Sequence, residues 1–198
     1  MSGHTAPLAE GPRVGIRPLT PEDGPEFTAR ARESRELHHP WLFPPCTDDT
    51  FRAYAGALVE DPARAGFLVY ERDSGAVGGF ININNIVRGA FRSGALGYGA
   101  FAHAAGRGLM SEGLGLVMAY AFGDLGLHRL EANIQPGNEA SIGLVRRAGF
   151  RYEGFSPDFL FIDGAWRDHE RWAVTAGTAS ASADSGPPRH PGAATPQA

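Results

Sequence analysis

The sequence predicts one mixed α/β domain over residues 13–176, and three observations carry that expectation. Strand-like and helix-like segments follow one another in the order β-α-α-β-β-β-α-β-α-β-β. Two pairs of strand-like runs are joined by tight turns, at Asp73-Ser74-Gly75 and Asp163-Gly164. Such turns make antiparallel hairpins, unlike the regular alternation of a doubly wound parallel sheet. Finally, 198 residues with 42% hydrophobic content suffice to bury roughly 70% of the unfolded surface without a metal or disulfide.

Taken in order, "RVGIRPLT" reads as the first strand. "TPEDGPEFTARARESREL" opens with Thr20 as an N-cap, Pro21 in the first turn and acidic residues behind it, the signals of a helix start. "HHPWLFPP" interrupts with three prolines. "TDDTFRAYAGALVED" then sets Phe51, Tyr54, Ala55 and Leu58 at helical spacing. "GFLVYERDSGAVGGFININNIV" reads as a hairpin and "GALGYGAFA" as a further strand. "LMSEGLGLVMAYAFGDLG" presents a broad apolar helix face, and "HRLEANIQ" is a strand. In "NEASIGLVRRAGF", Asn138 stands as N-cap and Gly149 where a left-handed C-terminal cap belongs. Two strands finish the domain. Residues 1–12 are expected to be loose. Residues 177–198 lack Leu, Ile, Val and aromatic side chains, so nothing there offsets the entropy of ordering, and a disordered tail is expected.

Composition removes several function classes. The formal net charge is −4, against the basic face that nucleic acid or an anionic membrane requires. All 18 basic residues are Arg, which excludes a Schiff-base lysine and the Gly-Lys-Ser/Thr phosphate loop. Cys46 is the only cysteine, so it has no internal disulfide partner; it reads as a bystander in a Pro-rich loop. No metal site is expected. The opening residues lack the layout of a signal peptide and no apolar run approaches the ~20 residues of a membrane span, so the expected location is the cytoplasm.

The chemistry concentrates in "AAGRGLMSEG". A glycine-bearing turn at a helix N-terminus offers unpaired N–H groups and partial positive charge, a site suited to pyrophosphate. Gly106 and Gly108 clear the approach and Arg107 adds positive charge. An ordinary strand-to-helix turn reads equally well from these glycines alone. The dinucleotide fingerprint fails, because position 111 is Ser and the turn follows several antiparallel strands rather than opening a βαβ unit.

Five separated stretches, "NIVRGAF", "LGYGAFAHAAGRGLMSEGL", "HRLEANIQPGNEAS", "RRAGFRYEGF" and "IDGAWRDH", together resemble the GNAT family of N-acetyltransferases. They are closest in type to the bacterial ribosomal-protein-alanine N-acetyltransferases, RimJ and RimL. The resemblance covers about residues 13–176 and implies a mostly antiparallel, twisted central sheet flanked by helices, with acetyl-CoA as donor. It lays the family's Gln/Arg-x-x-Gly-x-Gly/Ala loop on Ala105 to Met110. Ala105 and Met110 depart from the pattern, and Gly106, Arg107, Gly108, Leu109, Met110 and Ser111 are implied at the diphosphate. It implies further that Phe101 and His103 meet the pantetheine arm through their main chain, that Asn138 bonds that arm, and that Ser141 protonates the departing thiolate. In relatives the acceptor pocket involves the Pro-rich segment, which makes Trp41 a candidate wall. Alternation along "ININNIVRG" sets Asn82 and Asn84 on one face as candidate groove residues.

The implied reaction is direct attack of a neutral amine on the thioester, without an acyl-enzyme. No base stands out among Glu36, His38, His39, Glu131, Asp168 and His169, and an Asp168–His169 dyad competes with a structural hydrogen bond. Arg88 and Arg129 read as ion-pair or loop-ordering residues. The expected acceptor is a protein N-terminal α-amine, for a monomer or homodimer. A small-molecule amine, or acyl-CoA binding without turnover, are the alternatives.

Overall fold

The computed structural model describes residues 5–181. A short strand β1 (Ala9–Glu10) leads into β2 (Val14–Pro18), α1 (Gly24–Glu33), α2 (Arg35–His38), α3 (Asp48–Glu60), β3 (Ala65–Glu71), β4 (Val77–Val87) and β5 (Ser93–Ala100). There follow α4 (Leu109–Gly123), β6 (Arg129–Ile134), α5 (Glu139–Arg147), β7 (Arg151–Ile162), β8 (Ala165–Thr175) and α6 (Ala176–Ala181). Among the described residues, eight strands join one sheet in the order β1-β2-β3-β4-β5-β6-β8-β7. Every pairing is antiparallel except β5 with β6.

Three expectations change. Residues 1–12 are not loose throughout: Ala9 and Glu10 pair with Ile16 and Gly15, and Leu8 N–H bonds the Ile16 carbonyl. The first expected helix is two. Ser34 turns its hydroxyl onto the Arg30 carbonyl at 2.6 Å and accepts the Ala102 N–H at 2.8 Å, the local competition by which serine interrupts helices. At the other end the chain turns into α6 from residue 176, so the last described element overlaps the expected tail. The remainder of that tail, and residues 1–4, lie outside the described residues.

Alternation along the strands divides the core. Phe67, Val69, Ile81 and Ile83 face one side with Leu114, Val117 and Ala121 of α4 and Val145 of α5. Leu68 and Phe80 face the other, with Phe27 and Ala31 of α1 and Phe51, Ala55 and Leu58 of α3. Each fully buried Leu or Phe contributes about 1.5–3 kcal/mol, which anchors a helical layer on each face of the sheet. Among the described residues, no helix is long and apolar enough to cross a membrane.

Two buried histidines give the fold a pH dependence. His38 and His169 are 3% and 2% exposed. Burial holds both below the ordinary imidazole value, although bonds to the Ala100 and Arg167 carbonyls work in the opposite sense. The unfolded chain therefore takes up protons below about pH 6.5 that the folded chain resists, so stability is complete above that pH and falls as pH drops below it. The melting temperature is expected to decline between pH 6.5 and 5. In His38→Gln, which keeps a donor for the Ala100 carbonyl, that decline is expected to be shallower.

Candidate active site

The parallel register of β5 and β6 runs only from Ser93–Arg129 to Leu96–Ala132, yet β5 continues to Ala100. Beyond Leu96 the two strands part and leave β5 with an open edge. Which main-chain groups face that opening follows from the antiparallel ladder on its other side. Phe101 N–H donates to the Gly78 carbonyl at 2.9 Å, and in such a ladder alternate residues turn their N–H and C=O toward the partner. Tyr98 and Ala100 therefore point theirs away from β4, toward the gap. The Ala100 carbonyl is taken by His38, whose Nε2–H donates at 2.7 Å. The Tyr98 and Ala100 N–H groups remain as donors along the edge.

A cleft of about 590 Å³ occupies this gap. Tyr98, Gly99 and Ala100 form one wall, Asn138 and Ser141 of α5 another, and Gly106 with Gly108 to Ser111 the floor. Gly106 and Gly108 have φ of +73° and +77°, in the left-handed region that favours glycine. Gly108 is the N-cap of α4 and uses no side-chain cap, so the first amides of that helix, Leu109 to Ser111, are open to a ligand. Ser141 is set by its helix: Asn138 Oδ1 accepts the Ser141 N–H at 3.2 Å. The Ser141 hydroxyl lies 2.6 Å from the Tyr98 hydroxyl. Burial pushes the Tyr98 phenol up to about 12, with the Ser141 bond acting the other way.

The loop is braced by a residue the sequence reading did not single out. Arg13 donates to the carbonyls of Arg107 and Gly108 at 3.1 and 3.4 Å, and its Nε bonds Glu112 at 3.0 Å. Burial raises the Glu112 carboxyl, but the Arg13 and Val14 N–H groups and the Arg13 guanidinium together hold it below its ordinary value. Tying down the carbonyls turns the loop's amides the other way. The contact spans almost a hundred residues of chain, so no local motif announces it.

Several expected site residues lie elsewhere. Phe101 is fully buried among Phe27, Phe80 and His38, and its N–H is spent on Gly78; neither it nor His103 lines the cleft. The open edge falls on Tyr98 and Ala100 instead, a frame that depends on strand register. Arg107 turns away to form a two-pronged pair with Glu71, both bonds 2.7 Å, and holds that carboxyl below its usual range. Asn82 is buried on the α3 side, donating to the Tyr54 hydroxyl at 2.5 Å, and Asn84, two residues on, borders neither this cleft nor the second cavity described next. Gly99 is small because a β-carbon there would meet the Phe80 ring at 2.9 Å. The Asp168–His169 dyad does not form: Asp168 accepts the Asp158 N–H and His169 bonds the Arg167 carbonyl. Arg129 is ion-paired with Glu131 and Glu153.

Trp41 lines the same cleft as the loop, its carbonyl accepting from Gln135 Nε2 at 3.2 Å. A second cavity of about 670 Å³ lies next to it, bounded by Arg32, Arg35, Glu36, His39, Cys46 and Asp163. His38 and Leu42 border both spaces and form the partition between them.

Residues 13–151 match the Acetyltransferase (GNAT) domain. The chain belongs to the GNAT acetyltransferase family. Among its relatives is the ribosomal protein uS5-alanine N-acetyltransferase of Escherichia coli K12, 32% identical over 172 residues that cover 82% of this chain and 88% of that protein. The RimJ structure from Mycobacterium smegmatis, in complex with CoA-disulfide, is 27% identical with a TM-score of 0.78, over 85% of this chain and 87% of that one. The spermidine N-acetyltransferase from Vibrio cholerae, in complex with CoA and spermine, shares the fold at 19% identity and a TM-score of 0.73, over 86% and 99% of the two chains. As a GNAT member this chain is an N-acetyltransferase that takes its acetyl group from acetyl-CoA.

Proposed function

We propose that this GNAT enzyme acetylates a protein N-terminal α-amine, a reading supported by its E. coli relative, which is named a ribosomal protein uS5-alanine N-acetyltransferase. The observation that carries the donor half of the reading is that the parted edge of β5 and the bare N-terminus of α4 line one cleft. The amides of Leu109, Met110 and Ser111 suit the diphosphate of acetyl-CoA. The open N–H groups of Tyr98 and Ala100 suit its pantetheine arm, which lies along the edge as an added strand. In that arrangement a β5 N–H also meets the thioester carbonyl and stabilises the oxyanion that amine attack creates. Ser141, across the cleft, supplies a proton to the sulfur as the C–S bond breaks.

The acceptor's amine reaches the thioester at the Trp41 end of the cleft, beside His38 and Leu42, and the rest of the acceptor extends over the second cavity that these two residues also border. An α-amine titrates at about 7.7–8.0, so on the order of a tenth is already neutral at pH 7; a lysine amine, near 10.4, is almost wholly charged. A site built mainly to align two substrates therefore suffices for an N-terminal acceptor, because alignment alone lowers the barrier by roughly 7–11 kcal/mol. Thiol release from acetyl-CoA is expected with peptides that begin with Ala or Ser, and not with spermidine or free amino acids. The reverse preference overturns the choice of acceptor.

Charge in the donor cleft refines the assignment of the phosphates. With Arg107 committed to Glu71, Arg147 is the arginine that lines the cleft. Its side chain folds back along α5 toward Gly143, at the exposed mouth. It is placed to meet a phosphate of a strongly anionic donor. Arg147→Ala is expected to raise the KM for acetyl-CoA about tenfold, the scale of one charge-assisted bond, and to leave kcat unchanged. Equal KM values measured for the two proteins exclude Arg147 from donor binding.

A further inference from the structure

We propose that Tyr98 is a positioning residue for proton delivery to the leaving thiolate, acting through Ser141. This deepens the reading of Ser141 given above and rests on it. Tyr98 lies on the open stretch of β5, and its hydroxyl meets that of Ser141 at 2.6 Å inside the donor cleft. A serine hydroxyl has a single proton and rotates to suit its surroundings. When Tyr98 donates to Ser141 Oγ, the serine proton is left to point at another acceptor, and the cleft offers the thioester sulfur. The Ser141 main chain is already fixed by Asn138, so the phenol supplies the remaining constraint on the direction of the O–H bond.

The step balances without any further reagent. The amine nitrogen bonds to the acetyl carbon, the C–S bond breaks with its electron pair left on sulfur, and sulfur takes the Ser141 proton. The Tyr98 O–H holds the serine oxygen as its negative charge develops, a charge-assisted bond stronger than a neutral one. Ser141 then recovers a proton by way of solvent from the nitrogen, which must shed one to become an amide. Burial keeps the phenol protonated throughout the ordinary working range, so Tyr98 orients and stabilises and does not itself titrate.

Tyr98→Phe tests this, because it keeps the ring and removes only the hydroxyl. Expected is a fall in kcat of roughly ten- to a hundredfold, the scale of a hydrogen bond to a charged group, with the KM for acetyl-CoA and the melting temperature unchanged. Ser141→Ala is expected to be slow as well, and the double variant no slower than Ser141→Ala alone. A Tyr98→Phe enzyme with the parent kcat, or a double variant slowed by the product of the two single effects, overturns the role given to Tyr98 and leaves Ser141 standing. A Ser141→Ala enzyme with full kcat sinks the Ser141 assignment and this inference with it. If Tyr98→Phe does not fold, 3,5-difluorotyrosine placed at position 98 keeps both shape and hydroxyl while making the phenol more acidic. Its kcat is then expected to fall at a lower alkaline pH than the parent's; coincident pH profiles overturn the proposal.

Discussion

Gly108→Asp is expected to abolish measurable acetyl-CoA binding in a protein that still folds. The residue is the N-cap of α4 at φ +77°, and the amides beside it face the cleft. A carboxylate there meets the diphosphate at close range. Two unit charges 4 Å apart near a protein surface interact by about 4 kcal/mol, close to a thousandfold in affinity. The cost to the fold is smaller. A non-glycine residue in the left-handed region costs about 1–2 kcal/mol, and Asp is among those that tolerate it. The added β-carbon would come within 3.3 Å of the end of the Arg13 side chain, a flexible group that gives way. Gly108→Ala is the control, with similar strain and no charge, and is expected to bind within a few-fold of the parent. Titration calorimetry measures both, with circular dichroism to establish folding. Equal affinity for the Asp and Ala variants removes the diphosphate from this loop.

How far the site could be read in advance depended on whether its parts are local. The glycine turn, the Asn138 cap and the strand and helix order are patterns within ten or so residues, and those were legible. The Arg13 brace, the Tyr98–Ser141 pair and the partition at His38 join residues far apart in the chain, and nothing in the intervening sequence signals them. Arg107 shows the same limit from the other side. Its charge beside the loop suggested a phosphate contact, but Glu71 at the end of β3 claims it. Asn82 read as a groove residue because alternation gives the shared face without saying what packs on it. That face is covered by α3, and Tyr54 takes the amide.

Phe101 makes the sharpest separation between the two ways of reading this strand. As a pantetheine contact through its main chain, its side chain would matter little, and truncation would be nearly harmless. In the structure it is fully buried, with ring centroids 5.4 Å from Phe27 and 5.9 Å from Phe80. Phe101→Ala is therefore expected to destabilise the fold by about 3–5 kcal/mol. For a domain of this size that lowers the melting temperature by roughly 6–20 °C. The effect reaches the cleft beside β5 indirectly, since Phe101 packs against His38 and His38 holds the Ala100 carbonyl. Phe101→Leu refills most of the space, so most of the stability is expected to return, with acetyl-CoA affinity unchanged at temperatures where the variant is folded. An Ala variant that melts like the parent and binds acetyl-CoA as tightly would contradict the packing role of this ring and return position 101 to the main-chain contact that the sequence suggested.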